Sequence, residues 1–200
     1  SAASDVYKRQ PVRQGLLNHT ISREEAIRSF GLNPEKKVVL ILGGSLGART
    51  INHCMMEGLE KIRTSGVQFI WQTGKIYIDE VRAAVAKAGE LPMLHVTDFI
   101  SDMASAYSAT DLVISRAGAG SISEFCLLQK PVILVPSPNV AEDHQTKNAL
   151  ALVNKNAALY IKDAAAKEAL LDKAIETVQH PELLLSLIHI SEPTRHAQIS

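Results

Sequence analysis

The stretch Val38-Val39-Leu40-Ile41-Leu42-Gly43-Gly44-Ser45-Leu46-Gly47-Ala48-Arg49-Thr50 passes from five apolar residues straight into a glycine-rich turn and then into a helix-like segment. An apolar run without polar alternation reads as a strand buried on both faces, the habit of parallel sheets. The same signature recurs downstream. Strands are predicted at 37–42, 67–72, 92–96, 111–115, 131–135 and 157–161, with helical patterns between and after them at about 47–64, 75–88, 101–109, 119–129, 142–154 and 164–179. Helices of that length suit right-handed crossovers, so the chain predicts an α/β fold, a doubly wound Rossmann-like parallel sheet of about six strands. Ahead of it, Ser22-Arg23-Glu24-Glu25 has the spacing of a capping box, opening a short helix that Gly31 and Asn33-Pro34 should stop.

Composition narrows the classes. Two hundred residues with 46% hydrophobic content can bury a sizeable core. The 21 basic and 21 acidic residues are well mixed and cancel, so no electrostatic footprint for nucleic acid is expected. Cys54 and Cys126 fall in helical segments without metal spacing, which predicts two buried thiols, no disulfide and no metal site. The longest apolar runs, VVLIL and PVILVP, fall far short of the roughly 20 residues of a membrane helix. Residues 1–10 and 185–200 carry neither period and resemble translated cloning or adapter sequence. The native domain is therefore expected over 11–184, flanked by a non-native head and tail.

Ligands of open α/β sheets bind beyond the carboxyl ends of the strands, and three of those loops stand out. In the first, Gly43-Gly44-Ser45-Leu46-Gly47, glycines let the backbone approach a ligand and the following helix offers N–H groups to an anion, so phosphate is the direct reading. A Walker A loop is excluded by the lack of a lysine at the required place. A dinucleotide fingerprint is excluded because Gly-x-Gly-x-x-Gly is not met and Gln72-Thr73 ends the next strand instead of an acid. The same five residues match Gly-x-Ser-x-Gly, the nucleophile elbow of hydrolases, with Asp98, Asp143 and His144 downstream as partners. That reading ranks lower, because in hydrolases the elbow follows several earlier strands.

The second loop, Ser115-Arg116-Ala117-Gly118-Ala119-Gly120-Ser121-Ile122-Ser123-Glu124, again joins a strand to a helix. Two such loops in one sheet suggest one extended ligand across both. Glu124 suits paired hydrogen bonds from neighbouring ribose hydroxyls, yet Ser121-x-x-Glu124 is equally a capping box, and spacing leaves both open. The third loop runs through Pro136-Ser137-Pro138 into a polar helix start, where Gln145 and Asn148, three apart, face one side and suit sugar hydroxyls or simply solvent.

In order and with compatible spacing, Pro11-Val12-Arg13, Gly43-Gly44-Ser45-Leu46-Gly47-Ala48, Trp71-Gln72-Thr73-Gly74-Lys75, Val96-Thr97-Asp98-Phe99-Ile100, Ser115-Arg116-Ala117-Gly118-Ala119, Ser123-Glu124 and His144-Gln145-Thr146-Lys147-Asn148-Ala149 resemble a known family. It is the donor-binding half of the MurG family of bacterial peptidoglycan N-acetylglucosaminyltransferases, inverting two-domain enzymes of the GT-B type in glycosyltransferase family 28. The resemblance covers about residues 11–184. It implies a site for UDP-N-acetylglucosamine. Arg13 and Ser45 would meet the diphosphate, with Ala119 and Gly120 against it, and the backbone around Ile100 would meet the uracil; Gly44, Gly47 and Met103 would also belong to the donor site. Glu124 would hold the ribose, and Gln145 and Asn148 the sugar hydroxyls. The implied reaction moves N-acetylglucosamine onto lipid I, giving lipid II, with no metal or other cofactor.

Two departures accompany the resemblance. Arg9-Gln10 stand where the family usually has Gly-Asn, and Leu46 where many members carry glutamine. The family's acceptor site, catalytic base and membrane-facing patch belong to an N-terminal domain not among these residues. The chain is thus expected to bind donor weakly and not to turn over alone. The resemblance implies a cytoplasmic protein, peripheral at full length on the inner face of the bacterial plasma membrane. Related transferases acting on diacylglycerol or other lipid acceptors remain an alternative, as does the Ser45 hydrolase.

Overall fold

The computed structural model describes residues 21–44, 47–139, 144–155 and 157–191. Six parallel strands, β1 (Val38–Leu42), β2 (Gln68–Gln72), β3 (Leu94–Thr97), β4 (Leu112–Ser115), β5 (Val132–Leu134) and β6 (Leu159–Tyr160), form one sheet in the order β3-β2-β1-β4-β5-β6. The chain builds outward from β1 in one direction, then returns to its other edge with β4. That reversal makes β1 and β4 neighbours, with Val39 opposite both Phe69 and Leu112. It is the switch point at which such sheets leave a crevice.

The four inner strands, β2, β1, β4 and β5, are buried on both faces because alternate side chains enter different cores, while the edge strands β3 and β6 are only partly buried. Val39, Ile41, Phe69, Trp71, Leu112 and Ile114 pack on one side and Val38, Leu40, Ile70, Val113, Val132 and Leu134 on the other. The first face is covered by α2 (Arg49–Glu57), α3 (Leu59–Thr64), α4 (Ile78–Ala88), α8 (Ala166–Gln179) and α9 (Pro181–Ser191). The second is covered by α1 (Arg23–Ser29), α5 (Met103–Ala109), α6 (Ala119–Leu128) and α7 (His144–Asn154). The doubly wound, Rossmann-like parallel sheet is the one the apolar runs predict.

Local differences have local causes. The helical pattern at 47–64 divides into α2 and α3 at Gly58, whose N–H reaches the carbonyls of both Cys54 and Met55 at 3.1 Å. The strand predicted at 92–96 starts later, at Leu94, though Met93 still gives its carbonyl to the Phe69 N–H. At the capping box, the Ser22 hydroxyl accepts from the Glu25 N–H at 3.2 Å, and Gly31 closes that helix at φ 74°. Arg13 and Ser45 lie outside the described residues, as do residues 1–10. Helix α9 runs through residue 184 without a break. Among the described residues, no helix is long and apolar enough to cross a membrane.

Candidate functional site

The turns after β1 and β2 are nested. A Cβ on Gly74 would lie 2.5 Å from the Gly47 nitrogen and 2.9 Å from the Gly44 carbonyl, and one on Gly47 would lie 2.4 Å from the Tyr77 ring. Both residues sit at positive φ, 80° and 93°, so glycine is required twice over, by backbone conformation and by close approach. The junction is tied to α2 by Asn52, which is fully buried. Its Nδ2 donates to the Thr73 carbonyl and its Oδ1 accepts from Trp71 Nε1, both at 2.9 Å.

Across the switch point lies a cleft of about 700 Å³. Its walls are the turn after β1, the start of α5, and the segment from the end of β4 into α6. Gly44, Ile100, Met103 and Glu124, four of the residues singled out in the sequence, line it together with Tyr107 and Arg116. Gly47 lies in the nested turn beside it. Ala119 and Gly120 open α6, directly ahead of Ser121, which lines the cleft.

The two readings of Glu124 separate here. The N-cap of α6 is Gly118, with no side-chain cap bond, so Ser121-x-x-Glu124 does not act as a capping box. Instead the Glu124 carboxylate accepts a hydrogen bond from the Tyr107 hydroxyl at 3.2 Å and faces the cleft. Burial, reinforced by the adjacent Glu124 charge, pushes the Tyr107 phenol up, so at neutral pH it is held as a donor.

Gln145 and Asn148 do face one side of α7, and that side meets the loop after β4. The buried Gln145 Oε1 accepts from the Ala117 N–H at 3.2 Å and from the Ser137 N–H at 3.0 Å, while Asn148 Nδ2 donates to the Ala117 carbonyl at 3.4 Å. The amides thus fix the loop that leads into α6. Arg116 fastens it from the other side: its Nη1 donates to the carbonyls of Val135 and Pro136 and to Asp163 Oδ1 at 2.5 Å. The other Asp163 oxygen accepts from the Thr50 hydroxyl at 2.9 Å, in the first turn of α2. One carboxylate therefore joins the helix after the first glycine turn to the loop of the second.

Residues 38–194 match the C-terminal domain of glycosyltransferase family 28. The chain belongs to that family. Within family 28 it is 86% identical over 177 residues to the UDP-N-acetylglucosamine–N-acetylmuramyl-(pentapeptide) pyrophosphoryl-undecaprenol N-acetylglucosamine transferase of Phocaeicola vulgatus, covering 88% of this chain and 47% of that protein. It is 71% identical over 178 residues to the protein of the same name in Bacteroides fragilis, covering 88% and 47%. The chain therefore spans about half the length of the curated relatives it matches. Among solved structures it resembles MurG of Acinetobacter baumannii, with a TM-score of 0.69 and 27% identity over 88% of this chain and 49% of that one. Family 28 membership leaves no support for a Ser45 hydrolase.

Sequence reasoning missed Tyr107, Asn52 and Asp163. Tyr107 is the single large aromatic in the Met-Ala-Ser-Ala-Tyr-Ser-Ala helix α5, where the default reading is a core side chain. Asn52 lies in an otherwise core-facing helix stripe with Ile51 and Met55, and a buried asparagine there signals a partner. Asp163, next to β6, carries no sequence signal of its own.

Proposed function

We propose that this chain is the donor-binding half of a transferase that moves N-acetylglucosamine from UDP-N-acetylglucosamine to undecaprenyl-diphospho-muramoylpentapeptide, as the names of its family 28 relatives describe for those proteins. The observation that carries the reading is the placement of Glu124. Its carboxylate stands in a cleft between a glycine turn suited to phosphate and the start of α5, where a base would lie. Ribose hydroxyls meet Glu124, the diphosphate meets the turn around Gly44 with the first N–H groups of α2 and α6, and uracil meets the backbone at Ile100 beside Met103.

In the proposed reaction the acceptor hydroxyl oxygen attacks the anomeric carbon opposite the diphosphate. The bond from that carbon to the β-phosphate oxygen breaks with inversion, and UDP leaves. The hydroxyl proton passes to a base in the half of the relatives that this chain does not span. The contribution of these residues is to hold the leaving group where helix N-termini, with Arg13 and Ser45, stabilise the charge that develops on it. Acceptor binding and contact with the cytoplasmic face of the membrane belong, in this proposal, to that other half.

Calorimetric titration with UDP-N-acetylglucosamine, UDP and NAD tests the reading. Both uridine nucleotides should bind and NAD should not. Removing charge-assisted hydrogen bonds in Glu124→Ala should weaken both by about 10-fold to 100-fold. Absence of uridine binding by the folded chain, or binding indifferent to Glu124→Ala, would refute it.

A further inference from the structure

We infer that Tyr107 is the positioning residue for Glu124, and that the pair makes the cleft selective for a ribonucleoside diphosphate over its 2′-deoxy counterpart. This rests on the reading of Glu124 as the ribose ligand.

The geometry comes from two helices that meet at the cleft. Tyr107 is 3% exposed, and its ring stands edge-on to Phe125, with centroids 6.3 Å apart and planes at 79°. Phe125 follows Glu124 directly on α6. The contact that fixes the tyrosine ring thus comes from the same helical turn as the carboxylate its hydroxyl holds. The hydroxyl is placed by packing, and it reaches Glu124 Oε2 at 3.2 Å. A free glutamate has three side-chain torsions to settle before it can accept two hydroxyls at once. One fixed oxygen removes most of that freedom in advance.

The inventory of the carboxylate leaves room for a ligand. An ionised carboxylate offers about four acceptor positions, of which the Tyr107 hydroxyl takes one on Oε2. The group still faces a cleft that both residues line. Two adjacent hydroxyls of a ribose can donate to it together, whereas a deoxyribose brings only one. Tyr107 also lies four residues after Met103 on α5, and both line the cleft with Ile100. The segment that leads into α5, with the helix itself, therefore carries the contacts expected for the base and the group that orients the ribose ligand. A nucleotide seated by its base finds the carboxylate already aimed at the sugar.

The test measures affinities of the 200-residue chain for UDP and 2′-deoxy-UDP in wild type, Tyr107→Phe and Glu124→Gln. Tyr107→Phe keeps the ring and its contact with Phe125 and removes only the hydroxyl. It should weaken UDP by about 3-fold to 10-fold, the worth of one hydrogen bond, and leave 2′-deoxy-UDP nearly unchanged, so that the preference for UDP shrinks. A merely structural tyrosine would weaken both nucleotides alike, and that result overturns the inference. Glu124→Gln separates the two levels of the argument. If it erases the preference for UDP while Tyr107→Phe does not, the ribose reading stands and the role of Tyr107 falls. If Glu124→Gln leaves the preference intact, or wild type shows none, the ribose reading fails and takes the inference with it.

Discussion

Replacing Asn52 by leucine should be among the most damaging single changes in the chain. The side chain is fully buried and serves two groups, the Trp71 indole N–H and the Thr73 carbonyl, each at 2.9 Å. Leucine fills similar space but offers neither donor nor acceptor, so both groups would be orphaned away from water. At about 1–3 kcal/mol for each unsatisfied buried group, the loss comes to about 2–6 kcal/mol, a large share of the roughly 5–15 kcal/mol that holds a domain together. Trp71 is the sole tryptophan, so urea unfolding followed by its emission reports on the junction directly, with circular dichroism as the global probe. The midpoint should fall steeply at unchanged m. Adding Trp71→Phe removes the orphaned N–H, so the double variant, followed by circular dichroism, should lose about 1–3 kcal/mol less than the two single losses summed. A loss below about 1 kcal/mol for Asn52→Leu at unchanged m would refute the reasoning, because so small a change means water or a shifted backbone satisfies both groups.

Three further outcomes are expected. Gly74→Ala, whose Cβ would meet Gly47 backbone at 2.5 Å, should destabilise by about 2–5 kcal/mol from positive φ and overlap together; Gly44→Ala, with nothing within 4 Å of its Cβ, should lose only about 1–2 kcal/mol, so equal unfolding midpoints would refute the nesting. Burial holds the His95 imidazole below its ordinary 6.5. The unfolded chain therefore takes up the proton first, and this contribution to stability is full above 6.5 and lost as pH falls through the lower folded value. His95→Gln should accordingly lose less stability than wild type between about pH 7.5 and about pH 5.5 in urea melts, and identical slopes would refute it. Burial, with the Glu57 and Asp163 charges, pushes the Cys54 thiol up to about 11, and burial also raises Cys126; both should react slowly with a thiol reagent at neutral pH and quickly in urea, and a fast native phase would contradict this.

The strands were legible because VVLIL, LVIS and PVILV have no polar face to show, and a two-sided apolar strand has few other homes. The glycine turns were legible as ligand loops because a strand, glycines and a helix in succession say where the backbone must open. Their partners were not. Nothing near Glu124 in sequence points to Tyr107, 17 residues away, since the bond exists only once β4 sets α5 beside α6. The tie from Arg116 to Asp163 spans 47 residues and depends on β5 and β6 being adjacent in the sheet. For Gln145 the residue type showed a polar role, but its two backbone donors, Ala117 and Ser137, are fixed only by the way α7 packs against the loops after β4 and β5.

The reversal of strand order also sets a timetable. As the chain leaves the ribosome, β2 and then β3 can add to one side of β1, but the other side waits for β4, because Val39, Leu40 and Ile41 pair there with Leu112, Val113 and Ile114. Roughly 70 residues separate those partners, which at about 5–20 residues per second is a delay of roughly 4–15 s. Through that interval an apolar strand shows bare N–H and C=O groups to any passing chain, the condition under which edges join wrongly. The strand whose exit turn floors the cleft is thus also the one most in need of shelter during synthesis.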